Sequence, residues 1–244
     1  MSRSRRRSLR ADAQPAWRDR LAGLPRRIVG RLRRDRAGIS AVEFALVAPM
    51  VTFLGLGTIE LANMVLVYTR VSQLAIQVAD NASRVKQSAG GSGSVIREVD
   101  VVELLSQVDL VYPGLKVYDN GRVILSSLEQ NADGGQWIHW QRCRGSMTAA
   151  VSKYGPQGTG STGTSFAGIG PSGSVKSDSG SATMFVEVYY KYQPIFFNIG
   201  DTTAPTIYRV QAMMVRDDRD LTGGPGANNE GIANPSPAAT KYTC

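Results

Sequence analysis

The chain has 244 residues, 42% of them hydrophobic, which is enough to bury the core of one ordinary domain with extensions. Its formal net charge is +8, but thirteen arginines and three aspartates lie in residues 1–38, whereas residues 39–244 carry fifteen Lys or Arg against seventeen Asp or Glu. Because the basic charge belongs to this leader and not to a folded surface, we predict no nucleic-acid-binding domain. A DNA-binding basic arm is the alternative to a cytoplasmic anchor beside a membrane helix.

An apolar segment follows the leader at once. Phe44 to Ile59 carries no charge, Glu60 interrupts, and Leu61 to Thr69 continue uncharged. As a helix, residues 44–69 would extend ~39 Å at ~1.5 Å per residue, which exceeds a hydrocarbon core of roughly 30 Å. The positive-inside rule then predicts a single pass, with residues 1–38 cytoplasmic and residues 70–244 outside. A cleaved secretory signal fits poorly, because the run is long and no small-x-small site follows it.

The apolar pattern continues past Thr69 at spacings of three and four, which indicates one face of a longer helix. The positions on this face are Leu61, Val65, Tyr68, Val71, Ala75, Val78, Ala82 and Val85. We therefore predict one helix over residues 39–88, embedded in the membrane in its first half. Its second half has an apolar stripe that needs a partner. Pro49 should kink the embedded half.

The sequence RAGISAVEFALVAPM at residues 36–50 carries the most specific pattern. Its stretch from Gly38 through Ile39 and Glu43 to Phe44 resembles a type IV prepilin cleavage site of the Flp/Tad kind. The longer stretch 38–85 is similar to the TadE-like pseudopilin family. WQRCRG at 140–145, MFVEVYYKYQPIF at 184–196 and VRDDRDL at 215–221 also resemble segments of longer TadE-like proteins. The resemblance implies cleavage by a prepilin peptidase between Gly38 and Ile39, with Glu43 and Phe44 as the assembly and processing motif.

The resemblance further implies a minor pseudopilin of a Tad/Flp pilus or secretion system. Such a protein inserts in the bacterial inner membrane with its C-terminal domain periplasmic, and enters an extracellular pilus after processing. Its partners would be the membrane, the prepilin peptidase, other pilins and the Tad assembly platform, and its role would be pilus assembly and surface adhesion. The alternative is an uncleaved single-pass envelope protein that scaffolds assembly of the secretion apparatus.

Two carboxylates lie in this apolar helix. An unpaired charge in a membrane costs several kcal/mol, so such residues usually have partners. Cleavage after Gly38 would create an α-amino group on Ile39, one helical turn from Glu43, which can pair with that amine or with a neighbouring subunit's. The alternative is a helix-start glutamate in the headgroup region. For Glu60 we expect a carboxylate that reaches the outer membrane interface.

The exported part should be an α+β domain at residues 95–222, after a Gly/Ser linker at 89–94 and before an irregular tail at 223–244. We predict a short helix over 95–109, a hairpin of Leu115–Tyr118 and Arg122–Leu128 around Asn120-Gly121, and strands over 136–143, 182–192 and 206–215. These strands would form an antiparallel sheet packed against the long helix. The Gly/Ser-rich residues 155–181 predict a flexible insert.

Cysteine and histidine usage bears on chemistry. Cys143 and Cys244 are too far apart for CxxC chemistry, and in an exported domain they predict a disulfide, with two unpaired thiols as the alternative. The one histidine, His139, lies between two tryptophans with no nucleophile motif nearby, so we expect it to be packed or at the surface. We therefore predict no enzyme, no cofactor and no metal site.

Overall fold

A computed structural model describes residues 30, 37–85, 87–88, 94–196, 204–216, 218–224, 227 and 230–244. Most of the leader predicted over 1–38, and most of the linker predicted over 89–94, therefore lie outside the described residues. The chain divides into two compact units, residues 1–56 and residues 57–244.

The first helix, α1, extends over Ala37–Arg84 as one 48-residue element with Pro49 inside it. Residues 37–56 of α1 belong to the first unit and the remainder to the second. α1 ends before the predicted boundary at residue 88, because Gln87 and Ser88 form a short strand, β1, that pairs with β2 at Ser94–Val95.

The second unit continues with α2 (Glu98–Val111), a 3-10 turn (Pro113–Leu115) and the four-residue helix α3 (Val117–Asn120). Its sheet contains β3 (Gly121–Gln130), β4 (Gln136–Arg144), β5 (Ala182–Lys191) and β6 (Thr206–Met214). The strand order is β4-β3-β5-β6 and every neighbouring pair is antiparallel. The predicted α+β class is therefore confirmed, and the last three predicted strands agree with the observed ones to within one residue.

The core lies between α1, α2 and one face of the sheet. In the later turns of α1, the buried side chains are three or four residues apart. The buried side chains of α2 have the same spacing. Each large aliphatic side chain buried in this way contributes roughly 1.5–3 kcal/mol. The main residues of this core are Val71, Leu74, Val78 and Ala82 of α1, Val101, Leu104, Leu105 and Val108 of α2, and Val123, Leu125, Val186, Val188 and Ile207 of the sheet. The later part of the predicted stripe, from Val71 to Ala82, is thus covered, whereas Leu61 and Val65 at its start are exposed.

The predicted hairpin around Asn120-Gly121 is wrong. Val117–Asn120 form α3, and β3 starts at Gly121, so the Asn-Gly pair is a helix-to-strand junction. A Cβ on Gly121 would lie 2.2 Å from the carbonyl oxygen of Tyr189, so glycine is required for the close approach of β3 to β5. The observed hairpin joins β3 to β4 through residues 131–135. The Asn131 side chain closes this turn by accepting the backbone N–H groups of Asp133 and Gly135.

The Gly/Ser-rich segment 155–181, for which a flexible insert was predicted, makes many contacts with the sheet. Ile138 donates its N–H to Thr159 and accepts the N–H of Gly158. Ile169 is buried in a second small cluster with Leu128, Ile138 and Phe185. Composition did not predict these contacts, because they depend on one buried isoleucine and on backbone groups that every residue carries.

Candidate functional site: an apolar helix and its anchors

The first part of α1 is apolar on every side and exposed. A helix that is hydrophobic all round is buried in a protein core or spans a membrane. Among the described residues α1 is long and apolar enough to cross a membrane, judged by length and composition. The exposed apolar side chains are Ile39, Val42, Phe44, Leu46, Val47, Met50, Val51, Phe53, Leu54 and Ile59.

The predicted processing residues lie together at the start of this surface. Gly38 and Ile39 are in the first turn of α1, and a Cβ added at Gly38 would meet nothing within 4 Å. Glu43 and Phe44 follow one turn later, and both are exposed, Phe44 by 73%. Gly38 is therefore not required by packing within the described residues.

The Glu60 side chain does not reach solvent but is enclosed by the folded chain. It is 1% exposed and lies against the segment that follows β5. Its carboxylate accepts hydrogen bonds from the Tyr192 hydroxyl at 2.5 Å and from the backbone N–H groups of Ile195 at 3.0 Å and Phe196 at 2.9 Å. The carboxylate is thus stabilised by directed hydrogen-bond donors, and Glu60 is a point where α1 is attached to residues 192–196.

Tyr192 completes this anchor. Its hydroxyl donates to Glu60 and accepts a hydrogen bond from the Asn63 side chain at 2.8 Å. Burial, together with the hydrogen bond to the Glu60 carboxylate, raises the pKa of Tyr192 to about 12. The phenol therefore stays protonated and keeps donating to Glu60 over the whole physiological pH range.

Arg219 forms a second anchor at the other end of α1. The last four carbonyl groups of a helix lack intrahelical partners, and they carry partial negative charge. The buried Arg219 guanidinium donates to the carbonyl oxygens of Ala82 and Ser83 at 3.4 Å and of Val85 at 2.8 Å. It comes from the VRDDRDL segment of residues 215–221 and caps the end of the helix; Asp217 lies outside the described residues.

The WQRCRG segment at the end of β4 connects three parts of the domain. Arg142 and Glu98 form a buried ion pair that joins β4 to the first turn of α2. Arg144 lies over the rings of Tyr118 and Tyr242, at 4.5 and 5.2 Å from their centroids. The sequence shows Arg142 and Glu98 as charged residues. It does not predict that an arginine on a strand forms a buried ion pair with a glutamate on a distant helix.

Cys143 and Cys244 are joined in a disulfide, with their Cα atoms 4.9 Å apart. The tail next to it lies along β4, because the N–H of Cys143 donates to the carbonyl of Tyr242 at 2.7 Å. Farther back, Ala233 exchanges backbone hydrogen bonds with Ile96 and Glu98. The tail of residues 223–244, which we predicted to be irregular, is therefore held to the domain by backbone hydrogen bonds at two places.

His139 belongs to a buried polar cluster whose hydrogen bonds do not activate a nucleophile. Its Nδ1 lies 2.7 Å from Glu129, and its ring stacks on Trp137 at 4.0 Å. The Ser127 hydroxyl donates to the other oxygen of Glu129. An activated serine must donate to the imidazole base, whereas here it donates to the carboxylate. Within the described ranges no group of three or more His, Cys, Asp or Glu could hold a metal ion.

Comparison with known proteins identifies one segment. Residues 38–80 match the family model described as "TadE-like protein". The resemblance stated from the sequence is thereby confirmed over this segment, which contains the exposed apolar part of α1 and the Glu60 anchor. No curated protein and no solved structure matches the chain.

Proposed function

We propose that this chain, TadE-like over residues 38–80, is a minor pseudopilin of a Tad/Flp pilus or secretion system. It inserts in the inner membrane through the first part of α1. A prepilin peptidase cuts it after Gly38, and the processed chain takes part in pilus assembly and surface adhesion. The observation that carries the proposal is an apolar, exposed helix that starts with Gly38, Glu43 and Phe44 and continues into the core of a folded domain.

The division of α1 supports this order of events. The large side chains exposed in residues 39–59 are stable in lipid, whereas the later turns are buried in the α+β domain. Removal of the leader leaves the domain's core intact, because that core uses residues 67 and beyond. A subunit can therefore be folded before it is cut, and the apolar part of α1 can exchange lipid for neighbouring helices.

Glu43 acts in the assembly step. Cleavage gives Ile39 a positively charged amine four residues before Glu43, on the same side of the helix. A neighbouring subunit displaced along a fibre presents the same amine. In a low-dielectric environment an opposite charge within reach offsets much of the cost of burying the carboxylate. We propose that Glu43 pairs with the amine of the neighbouring subunit.

The cleavage step is tested by expressing the chain with and without the peptidase and comparing its size. Gly38→Val should abolish the size change, because a side chain then occupies the position next to the cut bond. Gly30→Val is the matched control, since an added Cβ meets nothing within 4 Å at either glycine. A size that does not depend on the peptidase would support the uncleaved envelope protein instead.

The assembly step is tested by Glu43→Gln with Glu103→Gln as the control at another exposed glutamate. We expect the first variant to be cut normally and to be missing from sheared surface material, and the second to match the parent. Normal recovery of the Glu43→Gln variant in that material would contradict the assigned role of Glu43.

A further inference from the structure

We infer that the loop of residues 192–196 lies in the outer lipid interface of the membrane, with Ile195 and Phe196 inserted at the boundary between headgroups and acyl chains. The 192–196 loop follows β5 and is attached to α1 through Glu60. The inference rests on the proposed membrane insertion of α1, and it adds a second membrane contact from the folded domain.

The 192–196 loop exposes two adjacent apolar side chains. Ile195 is 58% exposed and Phe196 is 49% exposed, and they are adjacent in the chain. Single exposed hydrophobic residues are normal on a protein surface. This pair, however, is fastened to a helix whose neighbouring residues Ile59 and Leu61 are also exposed, by 51% and 47%. The loop and the helix residues on either side of Glu60 therefore both expose apolar side chains.

The loop is attached to α1 through backbone hydrogen bonds to Glu60. The N–H groups of Ile195 and Phe196 both donate to Glu60, so their backbone is held at the level of this residue. The same bonds satisfy polar groups that lipid could not satisfy. Because the Glu60 charge is enclosed by its donors, lipid can lie against this surface without meeting an exposed carboxylate.

The sequence spacing of the two carboxylates fits this placement. The stretch of sequence from Glu43 to Glu60 corresponds to ~26 Å of helix at ~1.5 Å per residue, close to the thickness of the hydrocarbon core. If Glu43 is at the inner boundary, Glu60 and the loop attached to it are at the outer boundary. The flanking residues suit that position, since Tyr192 is amphipathic and the exposed Lys191 can reach lipid phosphates.

The test uses tryptophan reporters in the full chain, reconstituted in phosphatidylcholine–phosphatidylglycerol vesicles whose acyl chains carry bromine either near the headgroup or near the bilayer centre. The reporters are Phe196→Trp, Met50→Trp for the middle of the span, and Val151→Trp, which is 67% exposed on the domain. The fluorescence of the unsubstituted chain, with its three tryptophans, is subtracted.

We expect Phe196→Trp to lose fluorescence mainly to the shallow bromines and Met50→Trp mainly to the deep ones. Val151→Trp should lose none. If Met50→Trp is quenched but Phe196→Trp is not, the inference about the loop is overturned while membrane insertion stands. If Met50→Trp is also unquenched, the proposed insertion itself fails.

A neighbouring subunit is the other possible cover for the loop. In that case the emission of Phe196→Trp would change as the protein is diluted into more lipid, and bromine would not quench it, which would overturn the lipid assignment. Emission that is independent of dilution, together with shallow quenching, supports the lipid assignment.

Discussion

Glu60 accepts hydrogen bonds from one phenol and two backbone amides, which is why a carboxylate is tolerated in the apolar part of α1. In the sequence, Glu60 is visible as an interruption of the apolar run. Its hydrogen-bond partners could not be predicted from the sequence. Those partners are more than 130 residues away in the chain, and two of them are backbone groups, which leave no trace in side-chain patterns. Glu43, by contrast, was recognised because it belongs to a short local motif.

At this residue we predict that Glu60→Ala destabilises the domain by about 2–4 kcal/mol, because the buried Tyr192 hydroxyl and two backbone N–H groups lose their charged acceptor. Urea unfolding in detergent measures the loss. Glu103→Ala, at an exposed position on α2, should change the free energy of unfolding by less than about 0.5 kcal/mol. Equal effects of the two substitutions would contradict the anchoring role of Glu60.

Tyr192 gives the anchor a pH dependence. Its pKa is about 12 in the folded chain and about 10 when unfolded, so the folded state holds the proton more tightly. This contribution to stability is complete below pH 10 and is lost as the pH rises towards 12. We predict that Tyr192→Phe lowers stability at neutral pH and makes its decline between pH 10 and 12 shallower. Parallel alkaline unfolding curves for parent and variant would refute this.

At the scale of elements, the parts predicted correctly are those with strong periodicity. The long helix and the alternating strands β4, β5 and β6 were placed from their patterns alone. The hairpin around Asn120-Gly121 was misplaced because the same dipeptide serves tight turns and close backbone approaches. The end of α1 was misplaced because the residues after it pair with β2 and because Arg219, from a remote part of the chain, caps its last carbonyls.

For this cap we predict that Arg219→Met costs about 2 kcal/mol, since helix-end carbonyls lose charged donors. Amide hydrogen exchange should accelerate in the last turns of α1, around Ala82 and Ser83, more than elsewhere in the helix. Arg216→Met is the matched control, because Arg216 is exposed three residues earlier. Unchanged exchange at the end of α1 in the Arg219→Met variant would rule out the capping role.

At the scale of the whole molecule, the chain combines a charged leader, an apolar helix and a folded α+β domain. The disulfide closes a loop of the chain within that domain, and the two cysteines have a sequence separation of 101 residues. We predict that Cys244→Ser lowers the free energy of unfolding by about 2–5 kcal/mol, because cross-linking a loop of this length restricts the unfolded chain. A reductant should destabilise the parent by a similar amount and leave the variant unchanged. A reductant that leaves the parent's unfolding midpoint unchanged would contradict the prediction.

The domain's stability and the helix's assembly role use different parts of α1, so substitutions in residues 39–59 should alter assembly and leave domain unfolding unchanged. This separation could be inferred from the sequence only in part. The composition distinguished the leader from the rest, but the position where α1 changes from exposed to buried depends on the sheet and on Glu60.

The most direct test of the central claim is the N-terminal residue of the chain recovered from sheared surface material, determined by mass spectrometry. We expect a chain that begins at Ile39 with a free α-amino group and contains no peptide from residues 1–38. Recovery of a chain that still carries the arginine-rich leader would contradict it.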